Sequence, residues 1–399
     1  MSLFDALKKI YVRLNTGQLK DFEKKHPSRL QQDRYLAKME DTDDYYKISF
    51  NKYKCVCFYH YNRLILLAYN LGSLFLLLPV LFFFNRRHIN HVERTKSRII
   101  VRQSKILGYK DIMPDQLANN YDVIGYTTNY SDIYLDKDSN RILWKAFTKH
   151  PLSFYYLLVL MTRLARQSTI ANRENPEIIC TYAGEREFSD PILTMYSEKR
   201  GIFYYGFMHG DFMYQIDHAF MKYSCYWVWD KHYTRMFTEL RCKQKMIEYT
   251  PQKYKPLPIK VKSEEECEYY ATYYFSGESK KSIDELVVVF NLLRDIGKKC
   301  KIRPHPRFSN LQYLQESFAD YTIEDTKTIS LAQSLENSYL IVALNSTVLS
   351  EAYHSGKIVV IDDISDKHNY QELKDKEYIL YSKANYRLSE ILKMNGVTP

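Results

Sequence analysis

The chain has 399 residues, is 45% hydrophobic and 26% charged, and holds 12 Gly and 12 Pro. That composition excludes a collagen-like, linker-rich or disordered chain and suits two domains of ordinary size. The formal net charge of +10 fits an anionic partner such as a phosphate-bearing substrate or acidic headgroups, and the lack of a long Lys/Arg block argues against nucleic acid.

Seven cysteines, Cys55, Cys57, Cys180, Cys225, Cys242, Cys267 and Cys300, are scattered along the chain. An odd count without CxxC spacing reads as reduced thiols and gives no metal site. Residues 2–54 are charged and mixed, with no early apolar core of the signal-peptide kind. The chain is therefore expected in the cytoplasm.

Residues 1–50 read as short polar helices. Leu3, Leu7, Ile10 and Leu14 recur at helical spacing, which fits either a helix lying on a membrane surface or one packed on the body. Between Arg63 and Arg86 no residue is charged, and Leu64–Phe84 is an apolar run of 21 residues. Its length is near that of a membrane span, yet Asn70, Gly72 and Pro79 interrupt it. The run reads either as a membrane-embedded or interfacial segment, or as the buried core of the first domain.

From Arg98 onward apolar runs alternate with helical stretches. Strands are predicted at Ile99–Val101, Val123–Tyr126, Glu177–Tyr182, Ile202–Phe207 and Tyr226–Trp229. Helices are predicted at Leu152–Leu164, Asp190–Arg200 and Thr234–Arg241. Residues 249–268 carry three prolines and clustered charge, as an interdomain linker would. Beyond it strands are expected at Ala271–Ser276, Lys301–Arg303, Thr322–Glu324, Tyr339–Leu344 and Lys357–Asp362. Helices are expected at Ser282–Leu293, Gln312–Phe318, Ser330–Glu336 and Ser346–His354. Such alternation implies βαβ units and parallel sheets. The division expected is a helical and apolar extension over 1–95, a first α/β domain over 96–255, and a nucleotide-binding α/β domain over 256–399.

In parallel sheets ligands sit outside the carboxyl ends of the strands. After the Lys301–Arg303 strand comes Arg303-Pro304-His305-Pro306-Arg307, a proline-stiffened loop that presents imidazole and guanidinium to phosphate. After Tyr339–Leu344 comes Asn345-Ser346-Thr347, where helix-start amides and two hydroxyls would bind phosphate; either Asn345 or Ser346 could equally be a plain N-cap. Glu351 lies one turn beyond Thr347 on the same face and could accept from ribose hydroxyls. In the first half the Ile202–Phe207 strand runs into Met208-His209-Gly210-Asp211. His209 is a candidate general base, and Gly210 would let the backbone approach closely. Asp211, together with Glu185, Glu187 and Asp190 after the Glu177–Tyr182 strand, are carboxylates able to deprotonate an acceptor hydroxyl.

The His305-Pro306 pair, followed some forty residues later by Ser346-Thr347, resembles bacterial glycosyltransferases of surface polysaccharides with the GT-B fold. Sialyl- and polysialyltransferases show this pairing. Teichoic-acid-type polymerases carry a similar His-Pro and an earlier His-Gly, matched here by His209-Gly210. The resemblance covers roughly residues 175–365. It implies two Rossmann-like domains facing across a cleft. The C-terminal one would hold the donor nucleotide through Arg303, His305, Pro306, Asn345, Ser346, Thr347 and Glu351. The N-terminal one would hold the acceptor and supply the base from His209, Glu185 or Asp211.

The implied activity is metal-independent, inverting transfer from a CMP- or UDP-linked sugar, with no further cofactor. The acceptor would be a surface or lipid-linked glycan (capsule, lipooligosaccharide or O-antigen) at the inner face of the membrane. The sequence departs from the sialyltransferase pattern in lacking a clean acidic-acidic-Gly element, which leaves sialic acid and the base open. Two alternatives remain: a teichoic-acid-type polyol-phosphate transferase using a CDP-activated donor, and an inactive membrane-associated scaffold.

Overall fold

A computed structural model describes residues 27–86, 93, 95–102, 109–126, 132–182 and 187–397. The Leu3–Leu14 pattern and Glu185 lie outside the described residues. The chain divides into two compact units, Met1–Gly210 with Tyr214–Pro251, and Asp211–Met213 with Gln252–Pro399. Each is built on a six-stranded, wholly parallel sheet with helices, the expected Rossmann-like α/β class.

In the first unit the strands are β1 (Thr95–Arg102), β2 (Asp122–Tyr126), β3 (Pro176–Thr181), β4 (Phe203–Phe207), β5 (Cys225–Val228) and β6 (Met246–Glu248), in the order β2-β1-β3-β4-β5-β6. β1 and β3 are interior strands, and Ile99, Ile100, Val101, Ile178 and Ile179 are all buried, as a sheet covered on both faces requires. Helix Asp190–Lys199 ends at Gly201, whose φ of 68° is cheap for glycine alone.

The N-terminal segment is more deeply built in than its polar sequence suggests. Helix Tyr45–His60 buries ten residues, among them Ser49, Lys52, Cys55 and Cys57. Lys52 Nζ lies 2.9 Å from Asp190 Oδ2, and both side chains are wholly buried. The Ser49 hydroxyl donates to the Phe188 carbonyl at 2.7 Å.

The apolar run is a single helix, Arg63–Asn85, of 23 residues. The core alternative for it is excluded. Ser73 and Phe84 alone among its residues are buried, while Leu64, Phe75, Leu78 and Phe82 are among the most exposed apolar side chains described. A core helix would show apolar burial all round.

One glycine in β4 is a packing necessity. A Cβ on Gly206 would lie 2.5 Å from Tyr226 Cδ2 and 2.8 Å from its Cε2. Tyr226 is stacked on Tyr223 with ring centroids 5.3 Å apart, and both are buried, so neither ring can yield cheaply. Gly206→Ala is expected to cost about 1–3 kcal/mol as overpacking, read as a lower urea midpoint with unchanged slope; an unaltered midpoint would mean the tyrosine pair is loosely held.

The second unit carries β7 (Tyr269–Tyr274), β8 (Cys300–Arg303), β9 (Thr322–Ile323), β10 (Ser338–Ala343), β11 (Ile358–Ile361) and β12 (Tyr386–Arg387), in the order β12-β11-β10-β7-β8-β9. Leu340, Ile341, Val342 and Ala343 are all buried, matching the continuous apolar run. Helix Lys280–Asp295 lays Ile283, Leu286, Val289, Phe290 and Leu293 into the core at helical spacing. Helix Leu331–Glu336 starts with a reciprocal cap between Ser330 and Gln333. Strands β6 and β12 and the helices Lys137–Lys149, Lys367–Asp375, Ile379–Lys383 and Leu388–Met394 add to the elements read from sequence.

Candidate functional site

Chain order fixes where a ligand would sit on the second sheet. From β7 the chain steps to β8 and β9 on one side; β10, β11 and β12 then fill the other. The direction reverses between β7 and β10, and loops diverging from such a switch point leave a crevice at the carboxyl ends. Three loops leave that edge from adjacent strands: 275–279 after β7, 304–310 after β8, and 344–346 after β10. Strands about 4.8 Å apart bring these loops to one rim.

The loop after β8 holds His305 in one orientation. Its backbone N–H donates to Ser309 Oγ at 2.8 Å, and its Nδ1 accepts from the Arg307 N–H at 3.1 Å. Its ring stacks on Phe308 at 4.5 Å. With Nδ1 an acceptor, the proton of the neutral ring sits on Nε2. Burial and the nearby Arg307 charge lower the His305 pKa from 6.5. The loop thus presents a neutral, fixed Nε2–H donor. Pro306 and Arg307 are exposed beside it.

Arg303 does not share that role. Its Nη1 donates to Glu324 Oε2 at 2.7 Å and its Nη2 to the Ile329 carbonyl at 3.0 Å. Glu324 is buried and also accepts from Lys301 Nζ and, at 2.6 Å, from the Ser334 hydroxyl. Burial pushes the Glu324 carboxyl up, but the Lys301, Ser334 and Arg303 donors outweigh it and hold it below its usual value. Arg303 anchors the root of the loop; its guanidinium is directed to Glu324 and the backbone, away from the phosphate role expected of it.

The loop after β7 escaped the sequence reading. Gly277 has φ +114°, which an L-residue rarely adopts, and a Cβ there would lie 3.4 Å from Phe308 Cβ. This turn aims the N–H groups of Ser276 and Gly277 at one point. The Glu278 carboxylate fills it, accepting at 2.8 Å from Ser276 and 2.9 Å from Gly277. Burial raises the Glu278 pKa against the pull of those amides. Convergent backbone amides of this kind form an anion-binding nest. The available signal was a Ser-Gly-Glu-Ser turn directly after the first strand of the unit.

After β10, Ser346 is the N-cap of helix Thr347–His354, its hydroxyl accepting from the Val348 N–H at 3.3 Å. Asn345 is half-buried and Thr347 exposed. Glu351 is half-buried one turn on. Ser350, on the same turn, donates to Asp211 Oδ2 at 2.8 Å, and the Tyr254 hydroxyl donates to the same oxygen at 2.9 Å. Asp211 therefore works inside the second unit as an anchor for two hydroxyls. That geometry favours a structural part over the base role expected of it.

In the first unit β1 and β3 flank the corresponding switch point. Glu187, just beyond β3, is ion-paired with Arg163 Nη1 at 2.9 Å and Arg102 Nη2 at 3.5 Å. Burial raises its carboxyl, but Arg163, Arg102 and Arg166 together hold it below its usual value. A carboxylate so paired is a poor proton acceptor at neutral pH. Asp190 is buried against Lys52. His209 follows β4, half-buried. Around Gly210 a Cβ would meet no other atom of the chain within 4 Å.

No protein-family model matches the chain, and no curated protein sequence matches it. Three of the solved structures with a similar chain path are as follows. The wall teichoic acid polymerase TagF has 11% identity, covers 75% of this chain and 78% of its own, and gives a TM-score of 0.40. MurG of Acinetobacter baumannii has 12% identity, coverage of 75% and 89%, and a TM-score of 0.44. The UDP-GlcNAc 2-epimerase of Methanocaldococcus jannaschii, solved with UDP-GlcNAc and UDP, has 13% identity, coverage of 75% and 91%, and a TM-score of 0.42. Overlap at this level adds nothing to what the strand order states by itself.

Proposed function

We propose that the chain is a glycosyltransferase that takes an activated sugar from a nucleotide donor held at the β7/β10 switch point of its second sheet. The observation that carries this reading is the rim itself: a tautomer-fixed imidazole after β8 and a Ser-capped helix start after β10, on either side of a β7 turn whose two amides Glu278 holds. The imidazole N–H and the helix-start amides are donors, and a nucleotide's phosphates are acceptors. In the transfer we propose, an acceptor hydroxyl oxygen attacks the anomeric carbon. The bond from that carbon to the phosphate oxygen breaks, and the nucleotide leaves with the electron pair. His305 Nε2–H and the helix-start amides stabilise the new charge, since donors placed in advance cost no reorganisation. The acceptor's proton passes to a base, for which His209 is our candidate. The acceptor we infer is a glycan, and the chemistry as written needs no metal.

The test is thermal shift with CMP, CDP, UDP and GDP. One of them is expected to stabilise the chain by mass action, by about 2.7 kcal/mol at a hundredfold excess over Kd. His305→Ala is expected to fold normally and lose most of that shift. Stabilisation by none of the four, or a full shift in the variant, would remove the donor-site assignment. Selective stabilisation by CDP would favour polyol-phosphate transfer on the same rim.

A further inference from the structure

Helix Arg63–Asn85 has two unlike faces. Leu64, Leu67, Leu71, Phe75, Leu78 and Phe82 are each more than half exposed. At 3.6 residues per turn they fall in one stripe about 80° wide, along a helix about 34 Å long. Opposite the stripe and at its C-terminal end the helix is fastened to the unit. Asn70 Nδ2 donates to the Leu152 carbonyl at 2.8 Å, and its Oδ1 accepts from the Tyr155 N–H at 3.1 Å. Asn85 Oδ1 accepts from Asn140 Nδ2 at 2.7 Å, and the Phe84 carbonyl accepts from the Leu135 N–H at 2.9 Å. Ser73 and Phe84 are the buried residues of this face.

A helix tied along one flank to a folded body cannot be ringed by lipid. Spanning a bilayer would draw the neighbouring helix Lys137–Lys149, with exposed Arg141 and Lys145, into hydrocarbon. Lying flat requires no such step: the stripe enters the acyl region while the body stays in water.

The surroundings match the same orientation. Arg63 and Arg86 stand exposed at the two ends of the stripe, the latter 3.3 Å over the Phe83 ring. Trp144 and Leu152, both exposed, flank it, and Trp favours the headgroup level. The helix itself carries no acidic residue. Beside it runs a groove of about 380 Å³, lined by Leu77, Leu81, Leu143, Phe147, Leu157 and Met161. Contiguous apolar surface rimmed by cations fits an acidic-lipid interface.

We propose that the outer face of helix Arg63–Asn85 docks in the plane of a bilayer containing acidic lipid, with the adjoining groove open to an acyl chain. The proposal is independent of the transferase reading, and its readout needs no activity.

The full chain is mixed with phosphatidylcholine vesicles with and without 30% phosphatidylglycerol and assayed by flotation. Binding is expected to be at least tenfold tighter with the acidic lipid. Leu71→Ser with Phe75→Ser, both at exposed positions, is expected to weaken binding at least tenfold at unchanged far-ultraviolet circular dichroism. A variant lacking residues 2–26 is expected to bind within threefold of the parent. To separate lying from spanning, Arg63→Cys and Arg86→Cys are labelled with an impermeant maleimide outside sealed vesicles, against the parent's background. Both are expected to label. Labelling at one end only would mean a span and overturn the proposal. Loss of binding on removing residues 2–26, with the stripe variant unaffected, would overturn it as well. So would a dimer in solution that the stripe variant dissociates while vesicles bind neither protein, which would assign the face to a second copy.

Discussion

Replacing Glu324 by Gln is expected to lower the thermal midpoint by about 10 °C and to abolish stabilisation by nucleotide. Glu324 is the common acceptor of Lys301, Arg303 and Ser334 beneath the loop that carries His305. Lys301 is itself buried. Removing the carboxylate leaves two cations with poor access to water, and breaking a buried pair from one side costs about 3–5 kcal/mol. Strain would appear first in the Arg303–Arg307 segment, because Arg303 ties it to the core through Glu324 and the Ile329 carbonyl. The pH dependence follows from the sign of the shift. The Glu324 carboxyl is held below its usual value in the fold. Its contribution is therefore present above the unfolded pKa and lost as pH falls through the folded one. The gap between parent and variant should be widest near neutrality and close in acid. A variant melting within a degree of the parent would show that the cations find water.

Lys52→Met is expected to destabilise the first unit by about 3–5 kcal/mol, measured as the urea midpoint at pH 8. Asp190 would then be buried without its partner. In the native chain burial is the larger influence and pushes the Asp190 carboxyl up to about 7, with Glu187 adding to it against the pull of Lys52. A carboxyl raised in the fold binds its proton more tightly there than when unfolded, so its contribution is full at low pH and declines as pH rises through the folded value. The variant should suffer less at pH 5, where Asp190 is protonated, than at pH 8. Lys52→Met with Asp190→Leu should recover most of the loss, since a hydrophobic pair of similar size often matches a buried ion pair. Equal losses at both pH values would exclude Asp190 as the origin.

What the sequence disclosed depended on the kind of signal. β10 was readable because four buried apolar residues in a row need cover on both faces. β6 was not, because three residues at a sheet edge, two half-buried and one exposed, carry no period. The 63–85 helix was recognised as apolar, but its placement could not be decided. What decides it is Asn70 and Asn85, two ordinary polar residues whose partners are 82 and 55 positions away. In the candidate site what was legible is that His305 and Ser346 follow directly on strands β8 and β10. Arg303 was misread because it stands two residues after Lys301, on the same face of β8, where its guanidinium meets Glu324. Gly277 and Glu278 were missed because a positive φ and a self-directed carboxylate leave no mark in composition.

The placement of Asp211 limits how this chain can be cut. Three residues, Asp211–Met213, belong to the second unit although the chain returns to the first at Tyr214 and leaves it again only after Pro251. A C-terminal fragment begun at Gln252 would lack the oxygen that receives both Tyr254 and Ser350. Severing the polypeptide in the 250s would therefore yield two incomplete halves. A split reporter or a domain exchange with another protein would need to carry the 211–213 peptide along with the C-terminal portion.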